Sequence, residues 1–512
     1  MNLVFFITDQ QRADHLGCAG NKVLQTPNID RLASEGVRFT SAYVANPTCM
    51  PNRCSIMTGQ YPNMCVRTFG VNLPQEVPTF TEALRKVGYN TKAIGKMHLN
   101  YWFNRFGNPP KSAEYVPAWI SDKYHATMAK DYPKPFYGFN EVDFVVGHGD
   151  VCFGHYTDWL EERAPQYIPV IKKLGSRMLQ KPYRATKIPE EFYPTSYITE
   201  RSIDFLENQA QGGNEDEPFV LFVSYPDPHH PCTPPGKYGE MYKPEDIELP
   251  ESFSDIENIK KHEYIGKRLD NPFLRTMMFR SAKEKEARNF IANTYGQLSM
   301  VDNSVGQILA SLEKLGFADN TMVIYTSDHG DMMGDHGMIL KGWLPFNGIL
   351  NVPLICKVPG MTSGSVSDSL VSSVDLAPSI LSLLNVNKND QPEEMQGIDF
   401  TPVIKDPKAK IRDCCFIEID EADTGADYFA HPLTEILGNK EQRVKYLITE
   451  RYSLTIYNGL IGYGDLFDRQ EDPNELNNLW FSNPDLRHEL IEKLLHEVIN
   501  AQSLYPKKHA MA

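Results

Sequence analysis

Runs of apolar residues that stop at polar ones alternate with stretches of helical periodicity through the first three-quarters of the chain. The clearest runs are Leu3 to Thr8, Thr91 to Ile94, Phe219 to Ser224, Met322 to Thr326 and Val352 to Val358. Several are continuous β-branched and aromatic segments, the pattern of strands buried on both faces. Helical patterns lie between them, at Pro27 to Glu35, Thr79 to Val87, Thr195 to Asn208, Ala287 to Leu315 and Asp375 to Leu384, the last two ending near Gly316 and Asn385. The alternation predicts an α/β fold, a mostly parallel central sheet with helices on both faces. From about Tyr101 to Lys187 the periodicity gives way to irregular sequence rich in Tyr, Trp, Pro and Gly, and residues 235–280 are similar, with acidic and basic side chains interleaved. Insertions of this kind commonly build lids or pocket walls, so substrate contacts are expected there.

After about Gln396 the runs shorten to Cys415 to Ile419, Lys445 to Thr449 and Ser453 to Tyr457, followed by a helix from about Asp485 to Ala501. They predict a smaller C-terminal α+β subdomain with a short antiparallel sheet. The expected division is a catalytic domain over residues 1–395 and a subdomain over 396–512. The polar tail Tyr505 to Ala512 is read as loose or docked on a partner subunit, and the closing helix and tail are compatible with a homodimer or tetramer.

Composition narrows the function. A length of 512 residues, with 41% hydrophobic and 23% charged residues, describes an ordinary globular protein of two or three units. A net charge of −15 without a Lys/Arg cluster disfavours nucleic acid, so a small anionic substrate must be met by local cations. No window is long and apolar enough for a membrane span. The apolar opening from Asn2 to Ile7 has neither a basic start nor a small-residue cleavage site, and it reads as a first strand rather than a signal peptide. Nine cysteines without framework spacing predict reduced thiols and a cytoplasmic location.

The candidate chemistry gathers at predicted strand ends. Asp9 follows the first strand and Asp328 follows the strand ending at Thr326, so in an open parallel sheet both emerge at the carboxyl edge, where ligands bind. Gln10 and His329 add oxygen and nitrogen donors, and together the four suit a divalent cation. Cys49, Pro51, Arg53, Thr58 and Gly59 form the pattern C-x-P-x-R-x-x-x-x-T-G. There Pro51 can begin a helix whose amide ends face an anion, with Arg53 close behind. Gly95-Lys96-Met97-His98-Leu99 follows the strand Thr91 to Ile94, and Tyr225-Pro226-Asp227-Pro228-His229-His230-Pro231 follows Phe219 to Ser224. Lys341 comes after Gly334-Asp335-His336-Gly337, and Asn72 lies in a loop.

These motifs resemble those of the type I sulfatases and their phosphonate monoester hydrolase relatives, in the alkaline phosphatase superfamily. The resemblance extends to Asp465-Leu466-Phe467-Asp468 and the passage from Asp472 to Leu479. It implies an alkaline-phosphatase-like core, one divalent metal (Ca²⁺ or Mn²⁺) held by Asp9, Gln10, Asp328 and His329, and oxidation of Cys49 to formylglycine by a maturation enzyme. The hydrated aldehyde would attack sulfur. Arg53 would orient it, Lys96 would bind sulfuryl oxygens and His98 would act as base in sulfate release. His229, with His230 as the fallback, and Lys341 would assist the leaving oxygen, and Asn72 would touch the anion. The expected activity is hydrolysis of sulfate monoesters. The family's pairs are most often Asp-Asp early and Asp-Asn or Asp-His late; Asp9-Gln10 with Asp328-His329 departs from the commonest set and keeps a phosphonate monoester or phosphodiester hydrolase open. A non-catalytic anion-binding protein with Cys49 left as a thiol is the alternative from a different class.

Overall fold

The computed structural model describes every residue except 69, 103–111, 116–131, 176–180, 213–216, 270, 272–277, 362–363, 422–441 and 503–512. The apolar runs form one nine-stranded sheet. In chain order its strands are β1 (Asn2–Thr8), β2 (Val37–Phe39), β3 (Asn90–Gly95), β4 (Glu141–His148), β5 (Val151–Gly154), β6 (Phe219–Ser224), β7 (Thr321–Ser327), β8 (Leu354–Lys357) and β9 (Ser365–Ser367). Their order across the sheet is β9-β2-β8-β7-β1-β6-β3-β4-β5. Strand β1 pairs in parallel with β6 and β7, β3 in parallel with β6 and β4, and β9 in parallel with β2. Strand β8 runs antiparallel between β7 and β2, and β5 antiparallel on β4. Leu3 to Ile7 are fully buried because helices cover both faces, and Phe5 stacks on Phe222 at 5.0 Å between ring centroids.

The main helices are α1 (Pro27–Glu35), α2 (Cys49–Thr58), α3 (Phe80–Lys86), α4 (His155–Arg163), α5 (Pro194–Gln211), α6 (Glu284–Lys314), α7 (Leu376–Leu383) and α8 (Pro484–Ala501). Helix α6 starts ahead of its apolar pattern, because Glu284 and Glu286 in the first turn face the positive end of the helix dipole. Strand β8 is shorter than its apolar run, since Pro353 has no N–H to give the ladder. The segment read as irregular over 101–187 departs most from expectation. Its described part extends the sheet by β4 and β5 and adds α4; their short apolar runs are broken by Gly147, Gly149 and Gly154, all at positive φ.

Beyond residue 413 lies the predicted antiparallel sheet, β10 (Cys414–Glu421), β11 (Gln442–Thr449), β12 (Tyr452–Tyr457) and β13 (Gly464–Asp468) in sequential order, with α8 against it. The fourth strand contains the Asp465–Asp468 passage, which the apolar pattern alone does not mark as a strand. The backbone N–H of Glu418 donates to Ala45 O at 3.0 Å, tying this sheet to the loop ahead of α2. The tail from Tyr505 lies outside the described residues. Among the described residues, no helix is long and apolar enough to cross a membrane.

Candidate active site

The register of the sheet brings the strand-end residues together. Thr8 is opposite Ser327 on β7, while Ile7 and Gly95 both face Ser224 on β6, so Asp9, Asp328, Lys96 and the loop after Ser224 leave the sheet side by side. Backbone bonds lock these exits: Asp328 N to Thr8 O, Lys96 N to Ser224 O and Asp9 N to Asp227 O, at 3.2, 2.9 and 3.2 Å. Residue 95 must be glycine, because it sits at φ +112° and a Cβ there would collide with the carbonyl oxygen of Ser224.

Helix α2 carries the cysteine. Thr48 in extended conformation precedes it, and Gly59 closes it in the left-handed region with its N–H on Ser55 O at 2.8 Å, the stop that the Thr-Gly pair predicts. The helix begins at Cys49 itself, two residues before the start read from Pro51, because a proline is tolerated anywhere in the first turn, where its missing N–H has no partner to lose. Cys49 therefore sits at the positive end of the helix dipole. All ten residues of α2 are buried.

Arg53 anchors the helix to the sheet. Its Nε donates to Asp328 Oδ2 at 2.7 Å, and its Nη1 donates to Lys96 O and Ser224 Oγ, both at 2.8 Å. Its Nη2 is buried with no hydrogen-bond partner. Lys341 Nζ is 3.8 Å from Cys49 Sγ and 2.6 Å from His329 Nε2. Lys96 Nζ contacts Asp9 Oδ2, lies 3.0 Å from His148 Nε2 and sits over the Trp102 ring. His98, at φ +54°, stacks on Trp102 with centroids 4.0 Å apart. The imidazoles of His229 and His148 stack at 3.5 Å, and His229 Nδ1 is 2.5 Å from His230 O.

The candidates thus converge, with two qualifications. The Gln10 amide, on a residue at φ +69°, donates to Asp331 Oδ2 at 2.6 Å and lies against His230 Nδ1 at 3.1 Å. Asn72 is half-buried, and its Oδ1 accepts from Tyr101 N at 3.1 Å in the loop after β3.

Burial pushes the Cys49 thiol up, but Lys341, His98, Lys96 and a hydrogen bond to His329 overcome it and hold the thiol well below its ordinary value. Asp9 follows the same logic: burial raises it, whereas Lys96, His229, His148 and His329 keep it well below the carboxylate range. Burial holds His229 and His98 down, and it takes His148 to about 3 with help from Lys96. His329 moves the other way, to about 9, because Asp328, Asp9 and Cys49 outweigh burial and Lys341.

A cation fits here. Asp9 Oδ1 is buried without a hydrogen-bond partner and lies 3.3 Å from His329 Nε2, which is 3.6 Å from Asp328 Oδ1. Donor atoms of these three residues lie within 4.8 Å of one another. Asp9, His148 and His229 form a second such group; a lysine approaches each, Lys341 Nζ at His329 in the first and Lys96 Nζ at Asp9 and His148 in the second.

His148 is a site residue that the sequence reading missed. It ends β4, just past the buried run Phe144 to Val146, so the rule that located Asp9 and Asp328 would have found it once that short run was recognised as a strand. Glu114 was also missed, and as an isolated carboxylate in irregular sequence it carries no comparable signal.

Comparison with known proteins agrees with the geometry. The sequence model of the sulfatase family matches residues 1–386, and that described as "N-sulphoglucosamine sulphohydrolase, C-terminal" matches residues 334–503. An arylsulfatase of Clostridium perfringens (strain 13 / Type A) is 29% identical over 485 residues, covering 93% of this chain and 90% of its own. The uncharacterized sulfatase YidJ of Escherichia coli (strain K12) is 30% identical over 501 residues, covering 97% and 86%. The crystal structure of the phosphonate monoester hydrolase of Agrobacterium radiobacter shares the fold, with a TM-score of 0.77 at 24% identity, covering 98% of this chain and 96% of that one.

Proposed function

The chain belongs to the sulfatase family of sulfuric ester hydrolases, with an alkaline-phosphatase-like fold, and on that footing we propose that it cleaves sulfate monoesters using a formylglycine made from Cys49 and one divalent metal ion. The observation that carries this reading is the meeting of Cys49, at the start of α2, with Lys341, His329 and the Arg53–Asp328 pair at one sheet edge. Asp9, Asp328 and His329 would hold the metal, Ca²⁺ or Mn²⁺, with Gln10 joining them by turning its amide oxygen away from His230; the metal would supply charge neutralisation and activation of an oxygen nucleophile. A formylglycine-generating enzyme is the required partner. The hydrated aldehyde it creates has two oxygens on one carbon, one to attack sulfur and one to expel sulfate afterwards.

The side chains around it divide the remaining work. Arg53 Nη2, Lys96 and Lys341 offer donors to the sulfuryl oxygens in a site walled off from water, where each counts for more than in solution. Asn72 would touch the anion. A bound ester brings negative charge beside His229 and raises its proton affinity, the condition under which it and Lys341 protonate the leaving oxygen. His98, held neutral by burial, is in the right form to act as base when sulfate is expelled.

A second reading rests on the donor set. An amide at Gln10 stands where the family most often has a carboxylate, and His329 is the imidazole form of a position that the family fills with an amide or an imidazole; together they favour a phosphonate monoester or phosphodiester hydrolase with a softer metal. The two readings separate on kcat/KM for an aryl sulfate against an aryl phosphonate monoester. The sulfate should be preferred; a preference of about 100-fold for the phosphonate, roughly 2.7 kcal/mol, overturns the first reading. The nucleophile is checked by the mass of the peptide containing residue 49, from protein made alongside the maturation enzyme. An aldehyde mass is expected, and a thiol mass alone favours the non-catalytic alternative.

A further inference from the structure

Glu114 is fully buried, and its carboxylate is the hub of the loop that follows β3. Its Oε2 accepts from His98 N at 2.6 Å and from the indole Nε1 of Trp102 at 3.2 Å; its Oε1 accepts from Leu99 N and Asn100 N, both at 2.9 Å. These donors fill the acceptor capacity of a carboxylate. Three of them are successive backbone N–H groups turned toward one point, an arrangement that attracts an anion. His98 at the head of this turn is in the left-handed region, a conformation disfavoured for a non-glycine residue unless its surroundings hold it. Glu114 is held in turn by Ser112, whose hydroxyl accepts from Glu114 N at 3.2 Å and donates to Tyr101 O at 2.9 Å. One carboxylate therefore clamps both the backbone of His98 and the indole on which its imidazole stacks.

We propose that Glu114 is the positioning residue for His98: it holds the imidazole against Trp102 and next to residue 49, and so sets the efficiency of the step His98 performs. The proposal rests on the reading of His98 given under Proposed function. Glu114→Gln is nearly isosteric, yet its NH2 would face N–H donors that now meet an oxygen.

The test is a double-mutant cycle on the full chain, made alongside the maturation enzyme and assayed with 4-nitrophenyl sulfate. His98→Ala should lower kcat about 100-fold. Glu114→Gln should lower kcat about tenfold with KM little changed, and in the His98→Ala background it should cost nothing further. A general weakening of the fold would instead carry its full loss into both backgrounds, and that outcome overturns the proposal. An impaired His98→Ala with a fully active Glu114→Gln overturns the positioning role alone. Wild-type activity in His98→Ala overturns the reading of His98 and the proposal with it. If Glu114→Gln does not fold, Trp102→Phe removes one of the four donors while keeping a ring for stacking. Its smaller loss of kcat must likewise vanish in the His98→Ala background, and persistence there overturns the proposal.

Discussion

The carboxyl edge of the nine-stranded sheet and the C-terminal antiparallel sheet both bury charge, but they treat it differently. In the C-terminal region buried charges face opposite ones: Arg412 meets Asp375, Lys445 Nζ lies 2.5 Å from Glu418 and 3.2 Å from Asp420, and His262 Nε2 lies 3.0 Å from Asp465. At the sheet edge Asp9 Oδ1, Arg53 Nη2, His148 Nδ1 and His230 Nε2 are buried without a hydrogen-bond partner. An unmatched buried polar atom costs stability, so a cluster of them at one place marks groups kept for a ligand. Arg412 Nε and Asp420 Oδ1 are also buried without a hydrogen-bond partner, and the edge has its own Lys96–Asp9 and Arg53–Asp328 pairs, so the contrast is one of degree: the edge gathers its unmatched atoms on residues that touch one another.

Three perturbations test that contrast. The largest effect is expected at the edge, where Cys49→Ala should lower kcat/KM for an aryl sulfate by on the order of 10⁴-fold or more while leaving the thermal midpoint nearly unchanged. A collapse of the midpoint would make the edge structural and erase the distinction. The reverse is expected for Arg412→Met, which strands the buried Asp375 carboxylate and should cost about 3–5 kcal/mol of stability in denaturant titrations, with the activity of the folded fraction retained. Lost activity in that fraction would join the two regions into one functional unit.

The third perturbation is read as a dependence on pH. Glu475 is buried and accepts from Asn347 N at 2.8 Å, and burial pushes it up to about 8 from an ordinary value of 4.5. Since its folded-state affinity for the proton exceeds that of the unfolded chain, its stabilising share is complete at acidic pH and is lost as pH rises through about 8. Glu475→Gln should match the wild type near pH 4 and be more stable than it above pH 8, as read by thermal midpoints across that range. Parallel pH profiles for the two proteins would refute the assignment.

Much of this is legible in the sequence alone. The runs that became β1, β6 and β7 are continuous because both faces of those strands are covered, and a continuous apolar run ending in a charged residue is the plainest signal a parallel sheet emits. Asp9 and Asp328 stand out in this way, and Lys96 through the Gly95-to-Leu99 motif. The start of α2 was read two residues late, since proline marks a first turn without stating which of its positions it occupies. Strands β4 and β5 escaped notice because glycines at positive φ interrupt their short runs, and His148 was lost with them.

By itself the sequence determined the class of fold, the strand-end carboxylates and the cysteine motif, because periodicity and short-range spacing are local properties that survive without a partner. Tertiary structure decided what those residues meet. The pairing of β1 with both β6 and β7 brings Asp9 beside Asp328 and Asp227, across more than 200 residues of chain. The stacking of His148 on His229, the division of the Gln10 amide between Asp331 and His230, and the clamp of Glu114 on the His98 loop likewise depend on contacts between segments that carry no record of one another in their spacing. Such contacts are set by how the sheet orders its strands, and that order is a property of the whole packed chain.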